Sequence, residues 1–337
     1  MKELIIKKNE SNQRADKFLK KYLCNAGTSF IYKMMRKKNI TLNNKKMTGN
    51  EILNENDIIK IFFSDETIQK FTGGDAVKAH IPRRKIQLDS VKKQIIFENE
   101  DVILFNKKVG TLSQKSTGSD ISVNEILLEY MIQTNQISVE DLKTFRPSIC
   151  NRLDRNTSGM MIFGKSLCAL QEFAKLLKSR DLHKYYLCVV NGEVKQTQKI
   201  KGYLSKDEKT NKVTVYSEQH GDADYIETEY EPIAANGTFT LLRVLLVTGK
   251  THQIRAHLAS MKHPIVGDTK YGVKSVNQYV QEKYHLNNQL LHSYELKLPH
   301  NCGSLESLAD KRFFAPVPYG FQNVLSGENL EMNGAKL

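Results

Sequence analysis

Asn151-Arg152-Leu153-Asp154-Arg155-Asn156-Thr157-Ser158-Gly159 is the stretch on which the reading of this chain turns. It sets one carboxylate between two arginines and ends in small hydrogen-bonding residues and a glycine, the composition of a tight turn. Nearby cations favour the ionised form of an aspartate, and an ionised aspartate can serve as nucleophile or base. A surface Arg-Asp pair that only steadies a turn would have the same spacing, so the surrounding sequence has to decide.

Downstream, Lys184-Tyr185-Tyr186-Leu187-Cys188-Val189-Val190-Asn191-Gly192 reads as a strand with an aromatic start and an Asn-Gly turn. Strand neighbours point to opposite faces, so only one of Tyr185 and Tyr186 can face Asp154. Further strands are expected at Gln94 to Phe97, Val102 to Asn106, Met160 to Phe163, Phe239 to Thr248 and Ser293 to Leu298, with a helix behind a Ser166 cap. The segments Thr248-Gly249-Lys250-Thr251-His252-Gln253-Ile254-Arg255-Ala256-His257-Leu258 and His263-Pro264-Ile265-Val266-Gly267-Asp268-Thr269-Lys270-Tyr271-Gly272 follow. His252 and His257 lack the i, i+4 spacing of a helical zinc motif and no HExxH occurs, so no metal site is expected. Neither GxGxxG nor GxxxxGK is present, which disfavours nucleotide or dinucleotide chemistry.

NRLDRNTSG closely resembles the RLDxxTSG motif of the RluA-type pseudouridine synthases, in which the aspartate is catalytic. The strand resembles that family's KxYLxxxxG, placing its active-site tyrosine at Tyr186. TGKTHQIRAHL and HPIVGDTKYG resemble its TGRTHQIRxHL and HPIxGDxxYG, placing its active-site arginine at Arg255, paired with Asp154. With LHSYELKLP near residue 291 and FFAPVP near 313, the matches run from about 95 to 318. The resemblance implies conversion of uridine to pseudouridine, a rearrangement that needs no cofactor. It is equally consistent with attack of Asp154 on C1′ and with removal of a sugar proton. Tyr186 would pack on the uracil and is a candidate for transfer of the C5 proton. The uridine has to leave its stack; Arg152 would either fill the vacated space or contact a phosphate. Lys250 stands where the family usually has arginine and keeps the charge without the planar fork. With His252, it is expected to face RNA. Asp268 is read as structural, in a Gly-Asp turn, and Lys108 replaces a usual proline at no catalytic position.

The chain carries 50 Lys or Arg and 37 Asp or Glu, a net charge of +13. Residues 1 to 93 hold 21 basic and 10 acidic side chains, so nearly the whole excess is N-terminal, as a polyanion-binding module would have it. Within it, Ala15, Phe18, Leu19, Tyr22 and Leu23 form one helical stripe, and Ile31, Met34 and Met35 another on a helix from about Ser29 to Lys38. ITLNNKKM reads as strand, Asn43-Asn44 turn and strand, and NDIIKIFF closes the unit. This pattern resembles the S4 RNA-binding domain, with Lys17, Lys33, Arg36, Lys37, Lys38, Lys45 and Lys46 as RNA contacts.

The expected fold is α+β: an S4-like domain over 12–63, a linker over 64–92, a mixed, mainly antiparallel-sheet catalytic domain over 93–325 and a tail over 326–337. The strongest apolar stretch, Leu241 to Val247, is far short of the roughly 20 residues of a membrane span. The five scattered cysteines and the absence of an export signal agree with a cytoplasmic setting. The expected partner is RNA, most consistent with large-subunit ribosomal RNA and the RluC/RluD-like branch, and the chain is expected to act as a monomer. Two alternatives are a non-catalytic RNA-binding or ribosome-assembly protein and a tRNA-directed synthase.

Overall fold

The computed structural model describes residues 1–72, 86–117 and 120–330, which fall into two compact units. The first comprises Met1–Val91, Asn124–Ser148 and Gly164–Gln171. Its four-stranded sheet has the order β1 (Lys2–Ile5), β4 (Ile58–Ile61), β2 (Ile40–Leu42), β3 (Lys45–Lys46). The helices Ala15–Tyr22 and Thr28–Arg36 bury the expected stripes against it, with Phe18, Leu19, Ile31 and Met35 packed on Ile40, Ile59 and Ile61. Asn43 and Asn44 both take positive φ (49° and 62°), the requirement of a tight hairpin turn. The second helix stops at Arg36, before the expected Lys38, because Lys38 turns to φ 59°.

The unit's limits differ from the expected 12 and 63. Strand β1 lies before residue 12 and pairs with β4. After residue 63 the chain forms a helix, Asp65–Thr72, whose Phe71 packs on the core and accepts a hydrogen bond from Asn25 N. Ile68 and Phe71 at i, i+3 make this segment part of the module; residues 73–85 of the expected linker lie outside the described residues. Hydrogen bonds from Thr144 to Glu10 and from Lys7 to Asp141 explain why Asn124–Ser148 belongs to this unit, a grouping between residues more than a hundred positions apart.

The second unit is built on an 11-stranded sheet: β11 (Lys212–Tyr216), β10 (Gln198–Asp207), β12 (Asp224–Ala235), β13 (Phe239–Leu246), β9 (His183–Asn191), β14 (Leu291–Lys297), β8 (Ser158–Gly164), β6 (Val102–Lys107) and β5 (Ile95–Glu98), with β15 (Arg312–Phe314) on β14 and β7 (Ser148–Ile149) on β8. The run from β11 to β14 is antiparallel and β14 meets β8 in parallel. Leu187, Val189, Leu241 and Tyr294 bury one face under the helices Lys274–Tyr284 and Tyr319–Gly327. Ile226, Leu204 and Val213 pack with Ala256 of the helix Gln253–Ser260. Ser326 and Gly327 still belong to the final helix and Leu330 is fully buried, so the expected tail does not begin at 326; residues 331–337 lie outside the described residues. Among the described residues no helix is long and apolar enough to cross a membrane.

Candidate functional site

Asp154 sits on the loop that leads into β8, and each neighbour in the nonapeptide has a task there. The Asn151 carboxamide accepts from Ile162 N at 2.8 Å, and Ser113 Oγ both donates to Leu153 O and accepts from Leu153 N. Thr157 N closes the turn on Asp154 O at 3.0 Å. His292 Nε2 faces Ala315 O and therefore carries the proton, so Ser158 Oγ donates to His292 Nδ1 at 2.8 Å. Burial holds this histidine neutral, with its pKa pushed down to about 4. Gly159 has φ 109°, and a Cβ there would stand 2.2 Å from Ser293 O, so only glycine lets β8 approach β14.

The cation beside Asp154 is neither flanking arginine. Arg155 turns away to donate to Gly110 O, and Arg152 is exposed on the rim, in no ion pair among the described residues. Instead Arg255 Nη1 donates to Asp154 Oδ2 at 2.8 Å, from 101 residues further along the chain. The motif supplies the charges, but the fold chooses which one acts. Arg255 is itself held by Asp268 in a two-pronged pair, Nε to Oδ2 at 2.7 Å and Nη2 to Oδ1 at 2.9 Å. Burial disfavours the guanidinium charge, but Asp268 and Asp154 together raise Arg255 above the usual arginine range. Asp268 also accepts from Lys270 N and Tyr271 N, so its turn exists to aim an arginine.

Gln253, at the start of the same helix, uses its whole amide. It accepts from Thr248 Oγ1 and Lys250 N and donates to Glu227 O and Thr228 Oγ1. His252 lies at the helix start with φ 53°, its Nε2 3.9 Å from Asp154 Oδ2 and its Nδ1 3.0 Å from the Tyr271 hydroxyl. Burial lowers its pKa against the pull of Asp154, leaving a neutral imidazole at pH 7. His257 instead bonds Thr228 inside the unit.

Tyr186 is the tyrosine that faces the cleft; it is 4% exposed and hydrogen-bonds Ser293. Tyr185 projects to the other face, under the Arg243 guanidinium at 3.7 Å. Burial pushes the Tyr186 phenol up to about 12, so at neutral pH it keeps its proton and cannot begin the reaction as a base. The cleft, of about 580 Å³, is lined by Arg152, Asp154, Tyr186, Lys250, His252 and Arg255. Lys250 reaches Asp224 at 2.6 Å. Lys17, Lys33, Arg36, Lys37, Lys38, Lys45 and Lys46 lie elsewhere, all exposed on the first unit, and none pairs with a carboxylate among the described residues.

Lys107 is a residue of the site that sequence reasoning misses. It is fully buried, and its Nζ donates to Lys108 O, Thr111 O and Arg155 O at 2.8–3.1 Å, pinning the backbone directly after Asp154. Burial drives its pKa down to about 7, with Asp154 opposing, while three carbonyl acceptors match the three N–H donors of the charged form. Lys107→Met should therefore remove three hydrogen bonds at once, with Arg155 O keeping Gly110 N and Lys108 O keeping Thr111 N, and cost about 1–3 kcal/mol, read from urea denaturation midpoints. An unchanged midpoint would show that water takes over those carbonyls. The one signal is a lysine ending a strand that opens with four apolar residues, Val102–Lys107, which solvent-facing lysines commonly imitate.

Comparison with known proteins adds four findings. Residues 101–260 match the family model described as RNA pseudouridylate synthase. An uncharacterised RNA pseudouridine synthase of Mycoplasma genitalium is 30% identical over 304 residues, covering 88% of this chain and 89% of its own length. Ribosomal large subunit pseudouridine synthase C of Escherichia coli is 28% identical over 337 residues, covering 96% of each. Among solved structures, the human RNA pseudouridylate synthase domain containing 4 superposes with a TM-score of 0.58 at 19% identity, covering 73% of this chain and 96% of that one.

Proposed function

The chain belongs to the RNA pseudouridylate synthase family, and on that premise we propose that it isomerises uridines of large-subunit ribosomal RNA through Asp154. The observation that carries the assignment is the 2.8 Å bond from Arg255 to Asp154, inside a cleft that also presents Tyr186. The reaction breaks the N1 to C1′ bond, rotates the uracil and joins C5 to the same carbon, with C5 losing its proton to a base and N1 gaining one. Nothing is oxidised and no group is imported, so one carboxylate held at the ribose can suffice. Arg255 orients that carboxylate and supports its charge as the glycosidic bond breaks. Tyr186 packs against the extruded uracil as a neutral phenol. Arg152, exposed on the rim and outside every ion pair among the described residues, can enter the space the base leaves or take a phosphate. Relatives named for the large ribosomal subunit support that substrate class.

The N-terminal helices and sheet act in this proposal as an S4-type RNA-binding domain, and the protein works as a monomer in the cytoplasm. The seven basic side chains named above, none paired with a carboxylate among the described residues, supply non-specific attraction to the phosphate backbone. Replacing Lys33, Arg36, Lys37, Lys38, Lys45 and Lys46 with glutamine should weaken RNA binding and make log K less steep against log salt, by about 0.7–0.9 for each phosphate no longer neutralised. An unchanged slope would mean these side chains are only a solvated face.

The enzyme assignment is tested by incubating the protein with unmodified ribosomal RNA and tRNA transcripts and mapping pseudouridine by carbodiimide treatment and primer extension. New stops in the ribosomal transcript are expected. Stops confined to tRNA would move the substrate, and none in either RNA would refute the catalytic reading.

A further inference from the structure

We propose that Lys178, Arg180 and Lys184 form a phosphate-binding wall of the cleft that grips the backbone of the target strand beside the reacting uridine. The inference rests on the RNA substrate proposed above and goes beyond it by naming the groups that hold the strand. Lys184 precedes Tyr186 by two positions on β9, so both side chains project from the same face, and both line the cleft with Asp154 and Arg255. Lys178 and Arg180, from the end of the helix Leu167–Ser179 and the turn after it, line the same cleft.

Charge pairing sets these three, together with Arg152 on the rim, apart from Arg255 and Lys250. Arg255 is shared by Asp154 and Asp268, and Lys250 is held by Asp224. Lys178, Arg180 and Lys184 pair with no carboxylate among the described residues. Lys184 is half-buried, and a Cβ on Gly249 would stand 3.6 Å from its Nζ, so the ammonium lies against bare backbone. Burial alone lowers its pKa, with no neighbouring acid acting to raise it. A half-desolvated cation without a counter-charge is unfavourable until an anion arrives. A uracil is neutral and offers only carbonyl acceptors. A phosphodiester offers a full negative charge, and RNA must bring several to any cleft that admits an extruded nucleotide.

Arg180 adds a second observation. Its φ is 67°, the left-handed region that favours glycine or asparagine at a helix end. A long charged side chain is thus held where the backbone would be more relaxed without one. Arg180→Gly separates the two roles: folding should be unharmed while RNA affinity falls.

The test is a double cycle between protein and RNA. Lys184→Gln and Arg180→Gly are each measured on a short hairpin substrate carrying either normal phosphates or a single uncharged methylphosphonate at the linkages flanking the target uridine. On normal RNA each variant should raise Kd about tenfold, the size of one charge-assisted hydrogen bond. The single-turnover rate at saturating RNA should change far less than Kd. On RNA neutralised at the matching linkage, Lys184→Gln should cost nothing further. Thermal melts check that both variants remain folded. Additive effects at every flanking linkage would overturn the phosphate assignment, and so would a fall in saturating rate with Kd unchanged. Failure of the wild-type protein to bind or convert the hairpin and the parent ribosomal transcript would instead refute the substrate reading on which the inference stands.

Discussion

Asp154→Asn should lower pseudouridine formation by at least about 10³-fold while RNA affinity stays within about twofold, because the proposed mechanism makes this carboxylate the reacting group. The substitution keeps the shape of the side chain and an oxygen that can still accept from Arg255 Nη1, so the loop from Asn151 to Gly159 should hold its conformation. What it removes is the negative charge, and with it the capacity to attack C1′ or to take a proton. Asp154 is partly exposed, at 26% of its side chain, so losing its charge should barely change stability. Single-turnover conversion of a ribosomal RNA transcript, with binding measured in parallel, separates the two effects. An Asp154→Asn protein that still converts uridine would mean another carboxylate reacts, and Asp268 is too deeply enclosed to replace it.

The largest stability effect is expected at Asp268. Its side chain is fully buried and it accepts from Arg255 twice and from two backbone amides. Asp268→Asn would turn one acceptor into a donor facing other donors and leave a buried guanidinium short of charge. Breaking a buried pair from one side costs about 3–5 kcal/mol, which for a unit of this size lowers Tm by about 10 °C. Activity should fall as well, since Arg255 would no longer be aimed at Asp154. Replacing both partners, Arg255→Met with Asp268→Leu, should recover much of the stability and none of the activity. Equal melting temperatures for wild type and Asp268→Asn would show that the pair contributes nothing to the fold.

The same pair carries a pH signature. Burial on its own would raise the Asp268 pKa, but the bonds and charge of Arg255 and the Lys270 and Tyr271 amides hold it below the ordinary 3.8. A depressed carboxylate contributes stability that is complete above its unfolded pKa and is lost as pH falls through its folded one. Acid unfolding of the second unit should therefore lose this contribution only below pH 3.8, and the Asp268→Asn protein should lack that part of the transition.

Local chemistry is the legible part of this chain. The helices at 15–22 and 28–36 and the Asn43-Asn44 hairpin follow from period and turn residues, which act over a few positions. Strands β6, β8, β9 and β13 are readable because each contains an apolar run. Strand β1 offers only four residues with little buried surface, and β10 to β12 carry polar side chains along one face, so neither declares itself. The helix Asp65–Thr72 is hidden by the glycine-containing stretch that follows it.

What the sequence determines by itself is the inventory of the site: an aspartate in a glycine-terminated turn, a strand with two tyrosines, an arginine on a short helix and a basic leading quarter. Tertiary structure decides which members of that inventory meet, and local spacing does not show it, although the family resemblance anticipates Arg255 and Tyr186. Arg255 pairs with Asp154 in place of Arg152 or Arg155, Tyr186 faces the cleft in place of Tyr185, and Lys107 clamps the aspartate loop from inside. The physical reason is that charge and hydrogen bonding act through space, whereas spacing along the chain constrains only neighbours within a turn or a strand. Burial, which gives Asp268 and Lys107 their weight, is a property of the packed sheet and leaves no mark on either residue in the sequence.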